Sequence, residues 1–361
     1  MLNNKRFILF LSFTFLIAIG VIMIFSSSYI WAEYKFDDGL KYVKQQLIFV
    51  VFGFLLLYII MKLDNNFFYK YSKVFLITSF ILLILVLIPG IGVVRNGSRS
   101  WFGIGSFGIQ PSEAMKIAII IFTAKYLSIN KNAFKKFKTI LPVLLIMGIS
   151  FLLIMLQPDF GTGVILVMSV VAVLFVSGVN MKYFYMFGLT GIIGAVILIL
   201  IAPYRLDRIT SFINPWEDPL GTGFQIIQSL YAIGPGGLFG FGFLGSRQKH
   251  FYLPEPQTDF IFSIICEEFG AFGAFVVIVL FAIIISMIIK LSLEQTDLFK
   301  KYTIFGLGFQ IIFQTILNLS VVIGLIPVTG VTLPFISYGG SSLLVTMTSM
   351  GIILNLSKNN N

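Results

Sequence analysis

A single cysteine, Cys266, excludes an internal disulfide, and with only one histidine, His250, it excludes a zinc site of nitrogen and sulfur ligands. A hard cation held by carboxylates stays open. The lone histidine, set in a basic and aromatic context, gives a serine nucleophile no credible base. Neither the phosphate loop GxxxxGK[ST] nor a strand-led GxGxxG is present, so the soluble nucleotide-binding folds are excluded. Charge is scarce as well: charged residues are 11% of the 361, too few to cover a soluble domain of this length.

What is there instead is apolar. Hydrophobic residues make up 58% of the chain, and the mean hydropathy is +0.98, which identifies an integral membrane protein. The first apolar run follows Lys5 and Arg6 and has no small-residue cleavage site, so it reads as a retained helix rather than a cleaved leader. Taking roughly 20 apolar residues per span, about ten crossings fall near 7–30, 45–62, 74–91, 112–129, 139–157, 161–179, 184–203, 259–289, 302–326 and 339–356. The fold class is thus an all-α polytopic membrane protein, a single domain over 1–361. Lysines gather in alternate connectors, among them Lys62, Lys70, Lys73, Lys135, Lys182 and Lys300. The positive-inside bias makes that side, and with it both termini, cytoplasmic.

Between the seventh and eighth crossings lies a long extracytoplasmic loop, about 204–258. Its stretch from Asn214 to Phe262 is rich in Phe, Ile and Gly, which argues for a folded cap on the membrane surface rather than a disordered connector. The two bases are distributed unequally. Arg95, Arg99, Arg205, Arg208 and Arg247 all belong to outward connectors, where a planar guanidinium suits paired contacts with phosphate oxygens. Four crossings that begin outside open with polar residues, at Gln110-Pro111-Ser112-Glu113, Gln157-Pro158-Asp159, Gln257-Thr258-Asp259 and Ser337-Tyr338-Gly339-Gly340-Ser341. Capping explains part of this, and free backbone N–H groups at such ends suit an anionic ligand. Glu113 and Lys116, three apart within an apolar span, are expected to pair. The net charge of +10 fits anionic lipid on one face and an anionic ligand on the other, and needs no nucleic acid.

The strings VRNGSRSWFGIG, QPSEAMK, QPDFGTG, NPWEDPLGTGFQIIQSLYAIGPGGLFGFG, LPEPQTDFIF, CEEFG and PVTGVTLPFISYGGSS closely resemble the SEDS family of bacterial shape, elongation, division and sporulation proteins, typified by RodA, FtsW and SpoVE. The resemblance runs from about Phe25 to Asn355. It is nearer to the FtsW and SpoVE branch, because Gln257 stands where the RodA-like form has a His before the Thr-Asp pair.

The resemblance implies a peptidoglycan glycosyltransferase that polymerises lipid II, working with a class B penicillin-binding protein, in division or sporulation. It also implies an essential aspartate in the outer loop, which by motif is Asp259. Joining a lipid-linked sugar pyrophosphate to an acceptor hydroxyl needs a base, for which Asp259 is the candidate, and positive charge for the departing pyrophosphate. Candidates for substrate contact are Arg95, Arg99, Arg205, Arg208, Arg247, Lys249, Gln228 and Ser341. A divalent cation, Mg2+ or Mn2+, would be held by Asp259 or Glu255. The competing expectations are a lipid II flippase, drawing on Glu113 and Lys116 as charges within a span, and a scaffold that recruits the transpeptidase.

Overall fold

The structure, a computed structural model, describes residues 4–95, 97–104, 107–130, 136–201 and 211–358. It is mostly helical, as apolar runs in lipid must be, since a helix satisfies its own backbone polar groups. In order come α1 (Asn4–Phe36), α2 (Lys41–Lys62), α3 (Phe67–Leu85), β1 (Val93–Arg95), β2 (Ser98–Ile104), β3 (Phe107–Ile109), α4 (Pro111–Ile129), α5 (Phe137–Met155), α6 (Phe160–Val176), α7 (Met181–Ile201), α8 (Phe224–Ile233), α9 (Ile261–Leu293), α10 (Leu298–Val322) and α11 (Gly340–Leu356). Among the described residues six helices, α1, α2, α3, α5, α9 and α10, are long and apolar enough to cross a membrane, and α6 and α11 are shorter apolar helices. α2, α3 and α5 leave Val51, Phe52, Ile77 and Leu152 more than half exposed, as lipid-facing surfaces do. α4 packs against α3, α6 and α10 and is buried throughout from Met115 to Ile121.

Two expectations are corrected. The chain is not wholly helical: β1, β2 and β3 form an antiparallel meander, with Val94 opposite Arg99 and Gly103 opposite Gly108. Gly97, at φ 79°, sits in the turn between the first two strands, a conformation that suits glycine. The third helix runs over Phe67–Leu85 rather than 74–91. Lys70 and Lys73 lie within it, because a long aliphatic stem can follow the apolar surface while its amine reaches the interface; Gly90, at φ 89°, turns the chain after it.

The cap is folded. After a 3-10 turn at Pro215–Glu217 comes α8, whose Ile226, Ile227 and Ala232 are buried against α9 and α10. The following glycine-rich strip is stitched into α9. An unbroken helix would bond the Ala271 and Phe272 amides to the Glu267 and Glu268 carbonyls. Here Gly270 breaks the helix at φ 62° and ψ −158°. The Ala271 and Phe272 amides donate instead to the carbonyls of Gly237 (2.9 Å) and Leu238 (3.0 Å), while the Glu267 and Glu268 carbonyls accept from Phe241 and Gly242 (both 2.9 Å). These four groups freed by the break are paired by the strip, which is how irregular backbone is tolerated within a membrane protein.

A methyl at Gly270 would lie 2.5 Å from the Leu238 carbonyl carbon, and one at Gly240 would lie 2.3 Å from that of Glu268. Gly270→Ala is therefore expected to lower the unfolding temperature in detergent, from strain of about 1–3 kcal/mol at that φ alone. Gly148→Ala, a helical site with no atom near the added methyl, should leave it unchanged. Equal melting of the two variants would contradict the stitched break.

Candidate functional site

Four helix starts are tied together at one end of the bundle. The Gln110 amide, just before α4, donates to Ser341 Oγ at the start of α11 (3.0 Å), and Gln110 Nε2 donates to Asp159 Oδ2 at the start of α6 (2.6 Å). Ser337 Oγ donates to the Thr258 carbonyl (2.6 Å), and the Tyr338 amide donates to the Gln257 carbonyl (2.8 Å), which fixes the segment before α11 to the segment before α9. Asp159 also caps α6, accepting from the Thr162 amide at 3.2 Å. Burial pushes the Asp159 carboxyl upward, against the hydrogen bonds from Thr162 that pull it down.

The centre of this junction is the non-helical segment 331–337, wedged inside the protein. Leu333, Phe335 and Ile336 are almost wholly buried. Gly20 of α1 lets it pass, since a methyl there would meet the Ile336 backbone at 2.7 Å. Two side chains four residues apart on α10 satisfy its carbonyls. Gln314 Nε2 donates to the Thr332 carbonyl (3.0 Å), and Asn318 Nδ2 donates to the carbonyls of Val331 (2.8 Å) and Asp259 (2.7 Å). Asp259, half-exposed as a residue, is thus positioned by its backbone two residues before α9, with Oδ1 accepting from the Thr258 hydroxyl at 2.8 Å.

Glu113 and Lys116 lie beneath the junction, 2.7 Å apart and both buried. Lys116 Nζ also donates to Gln314 Oε1 at 3.2 Å. The pair is therefore bonded, through Gln314, to the segment that positions Asp259.

At the rim the β-meander brings up Arg95 and Arg99. Arg95 stacks 5.2 Å from the Trp101 ring centre and lies near Tyr338. Burial pushes the Tyr338 hydroxyl up to about 12, Tyr42 beside it adds to this, and Arg95 pulls the other way. The hydroxyl therefore stays protonated and donates to Gln45 Oε1. Arg99 is half-buried, with Nε enclosed and without a hydrogen-bond partner. Glu255 is exposed at φ 45° and interacts electrostatically with Tyr42.

The other sequence candidates fall elsewhere. Lys249 is buried against Glu268 at 2.9 Å and Ser26 at 3.2 Å, about 10 Å along α9 from its start. Its charge is already balanced there, and it anchors the strip at the helix break. Arg247 is exposed over the Phe241 ring, 4.8 Å from its centre, with its amide on Glu267. Gln228 is half-buried on α8. Ser341 is committed to the Gln110 amide. Arg205 and Arg208 lie outside the described residues.

As a cation site the junction is sparse. Among the described residues no group of three or more His, Cys, Asp or Glu side chains gathers. Asp259 and the exposed Glu255 would supply at most two carboxylates, so Mg2+ or Mn2+ would need further oxygen ligands from a bound anion and water, a donor set these hard ions accept.

Gln314 and Asn318 are the residues that sequence reasoning missed. With Gln310 they recur every four residues along an apolar helix, and that stripe was the available signal.

A family model described as Cell cycle protein, for FtsW, RodA and SpoVE, matches residues 6–361. Stage V sporulation protein E of Bacillus subtilis (strain 168) is 51% identical over 344 residues, covering 95% of this chain and 94% of that protein. Probable peptidoglycan glycosyltransferase FtsW of Geobacter sp. (strain M18) is 37% identical, covering 94% and 92%. Among solved structures, a chain from work on the structural coordination of polymerization and crosslinking by a peptidoglycan synthase complex superposes with a TM-score of 0.77 at 30% identity, covering 96% of each. The rod shape determining protein RodA of Thermus thermophilus superposes with a TM-score of 0.72 at 26% identity, covering 97% of this chain and 95% of that one.

Proposed function

The chain belongs to the FtsW, RodA and SpoVE family of cell cycle proteins, and on that premise we propose that it is a peptidoglycan glycosyltransferase polymerising lipid II at the four-helix junction. The observation that carries the reading is the placement of Asp259: a half-exposed acidic residue held by its backbone at the junction, with arginines on the rim above. The hydroxyl of one lipid-linked sugar attacks the anomeric carbon of another. Its proton passes to the Asp259 carboxylate, and the bond from that carbon to the pyrophosphate breaks, releasing the lipid pyrophosphate. Arg95 and Arg99 meet the charge that develops on the leaving group. A divalent cation on Asp259 would neutralise the same phosphates.

The reading extends to topology and partners. The lysine-rich connectors support about ten crossings of the bacterial cytoplasmic membrane with both termini inside and the junction outside. The polymerization and crosslinking complex among the structural relatives supports a class B penicillin-binding protein as partner. A transporter reading draws on Glu113 and Lys116, but these neutralise each other and reinforce the junction.

Initial rates of glycan formation over a range of lipid II concentrations test the role of the rim. A lipid-linked pyrophosphate lies at headgroup depth, where a guanidinium can grip two oxygens and an ammonium only one point. Arg95→Lys and Arg99→Lys should each slow polymerisation about tenfold, equivalent to about 1.4 kcal/mol, although the charge is kept. Lys41→Arg should change little. Rates equal to wild type in both Arg→Lys variants would remove the forked phosphate contact from the proposal.

A further inference from the structure

At the opposite end of the bundle, by the start of α1 and the end of α11, three cations come together without a salt bridge to any carboxylate of the described residues. Arg6, in the first turn of α1, keeps only 8% of its surface, and its Nε is buried without a hydrogen-bond partner. Lys358, just past α11, donates to the Met61 carbonyl. Asn355 donates to the carbonyls of Ile60 and Leu63, both at 2.9 Å, so α11 closes the C-terminal end of α2 and brings Lys358 beside Lys62. The Lys62 ammonium rests 5.5 Å from the Tyr58 ring centre. Burial, and after it Arg6 and Lys62, pull the Lys358 ammonium below its usual range, which places Arg6 and Lys62 each within electrostatic reach of Lys358. None of the three is in a salt bridge with a described residue. Neighbouring Lys5 is paired with Glu294, and Asp64, the acid nearest in sequence, accepts from the Asn66 amide at 3.3 Å.

We propose that Arg6, Lys62 and Lys358 form a binding site for the phosphate of an anionic phospholipid. An enclosed guanidinium beside two ammonium groups is unfavourable until an anion completes the set, and a phosphodiester supplies acceptors for the Arg6 fork and both amines. The carbonyl ends of α2 and α11 hold the cations in place from behind. The surroundings select a lipid over free phosphate. Phe7 and Ile8 of α1 and Leu55, Tyr58 and Ile59 of α2 are all more than 40% exposed next to the cations, giving acyl chains an apolar track below the headgroup. Basic pockets between membrane helices are recurrent headgroup sites.

Thermal unfolding of the purified full chain in neutral detergent, with phosphatidylglycerol, phosphatidylcholine or inorganic phosphate added, tests the site. Phosphatidylglycerol should raise the melting temperature by several degrees and the other two should not. Arg6→Gln and Lys358→Gln should each lose most of that rise, whereas Lys300→Gln, removing a cation from the start of α10, should keep it. Without lipid, Arg6→Gln should melt no lower than wild type, since it removes an unpaired charge; if that variant does not fold, Lys358→Gln decides alone. An equal rise with phosphatidylcholine or inorganic phosphate, a full rise in Lys358→Gln, or an equal loss in Lys300→Gln would overturn the proposal.

Discussion

Asp259→Asn is expected to give a protein that inserts, melts like wild type and copurifies with the proposed class B transpeptidase, yet forms glycan at least about 100-fold more slowly. The fold tolerates the change because Asn318 holds this residue by its carbonyl at 2.7 Å, a bond that does not involve the carboxylate. Thr258 donates to Oδ1 at 2.8 Å, and an asparagine oxygen accepts equally well. What is lost is the basic oxygen. Neither the one histidine nor the one cysteine replaces it: His250 lies in a turn nine residues earlier in the chain, and Cys266 is buried in α9. Initial glycan synthesis rates, paired with melting curves for each preparation, check this. Near wild-type polymerisation by a well-folded Asp259→Asn would remove the base from the mechanism.

Breaking the Glu113–Lys116 pair is expected to cost stability first. Glu113→Gln leaves a fully buried ammonium without the carboxylate 2.7 Å from it, and Lys116→Met leaves a buried carboxylate without that ammonium. Removing one member of a buried pair costs about 3–5 kcal/mol, whereas replacing both with apolar or neutral groups is often close to neutral. The yield of monodisperse protein and its melting temperature should therefore fall in each single variant and recover in Glu113→Gln/Lys116→Met. Because Lys116 reaches the segment 331–337 through Gln314, the double variant should fold better than it polymerises. Single variants that fold normally but make no glycan would instead place the pair in direct contact with substrate.

The six long apolar helices among the described residues were legible, the third only in part, because hydropathy and helix length obey the same constraint, the thickness of the bilayer. The convergence of polar helix starts was legible too, since Gln110, Asp159, Asp259 and Ser341 stand out against apolar surroundings. Their hydrogen bonds were not, because Gln110 to Ser341 spans 231 positions and no local pattern encodes such a pairing. Lys249 shows the limit of reading charge by connector. Its connector reads as an outer loop, but the glycine strip beside it is bonded into α9, and Lys249 pairs there with the buried Glu268. The β-meander was missed although Asn96-Gly97 is a strong hairpin signal, because its strands of three to seven residues carry little hydropathic weight beside the helices.

Purified protein given lipid II in detergent, together with a class B partner whose transpeptidase site is blocked by penicillin, tests the central claim most directly, with the products resolved on a gel. The account predicts a ladder of uncrosslinked glycan from the wild type and none from Asp259→Asn in the same complex. Lipid II left unpolymerised by a folded wild-type complex, alongside its translocation across vesicle membranes by the same preparation, would contradict the account and make the chain a transporter.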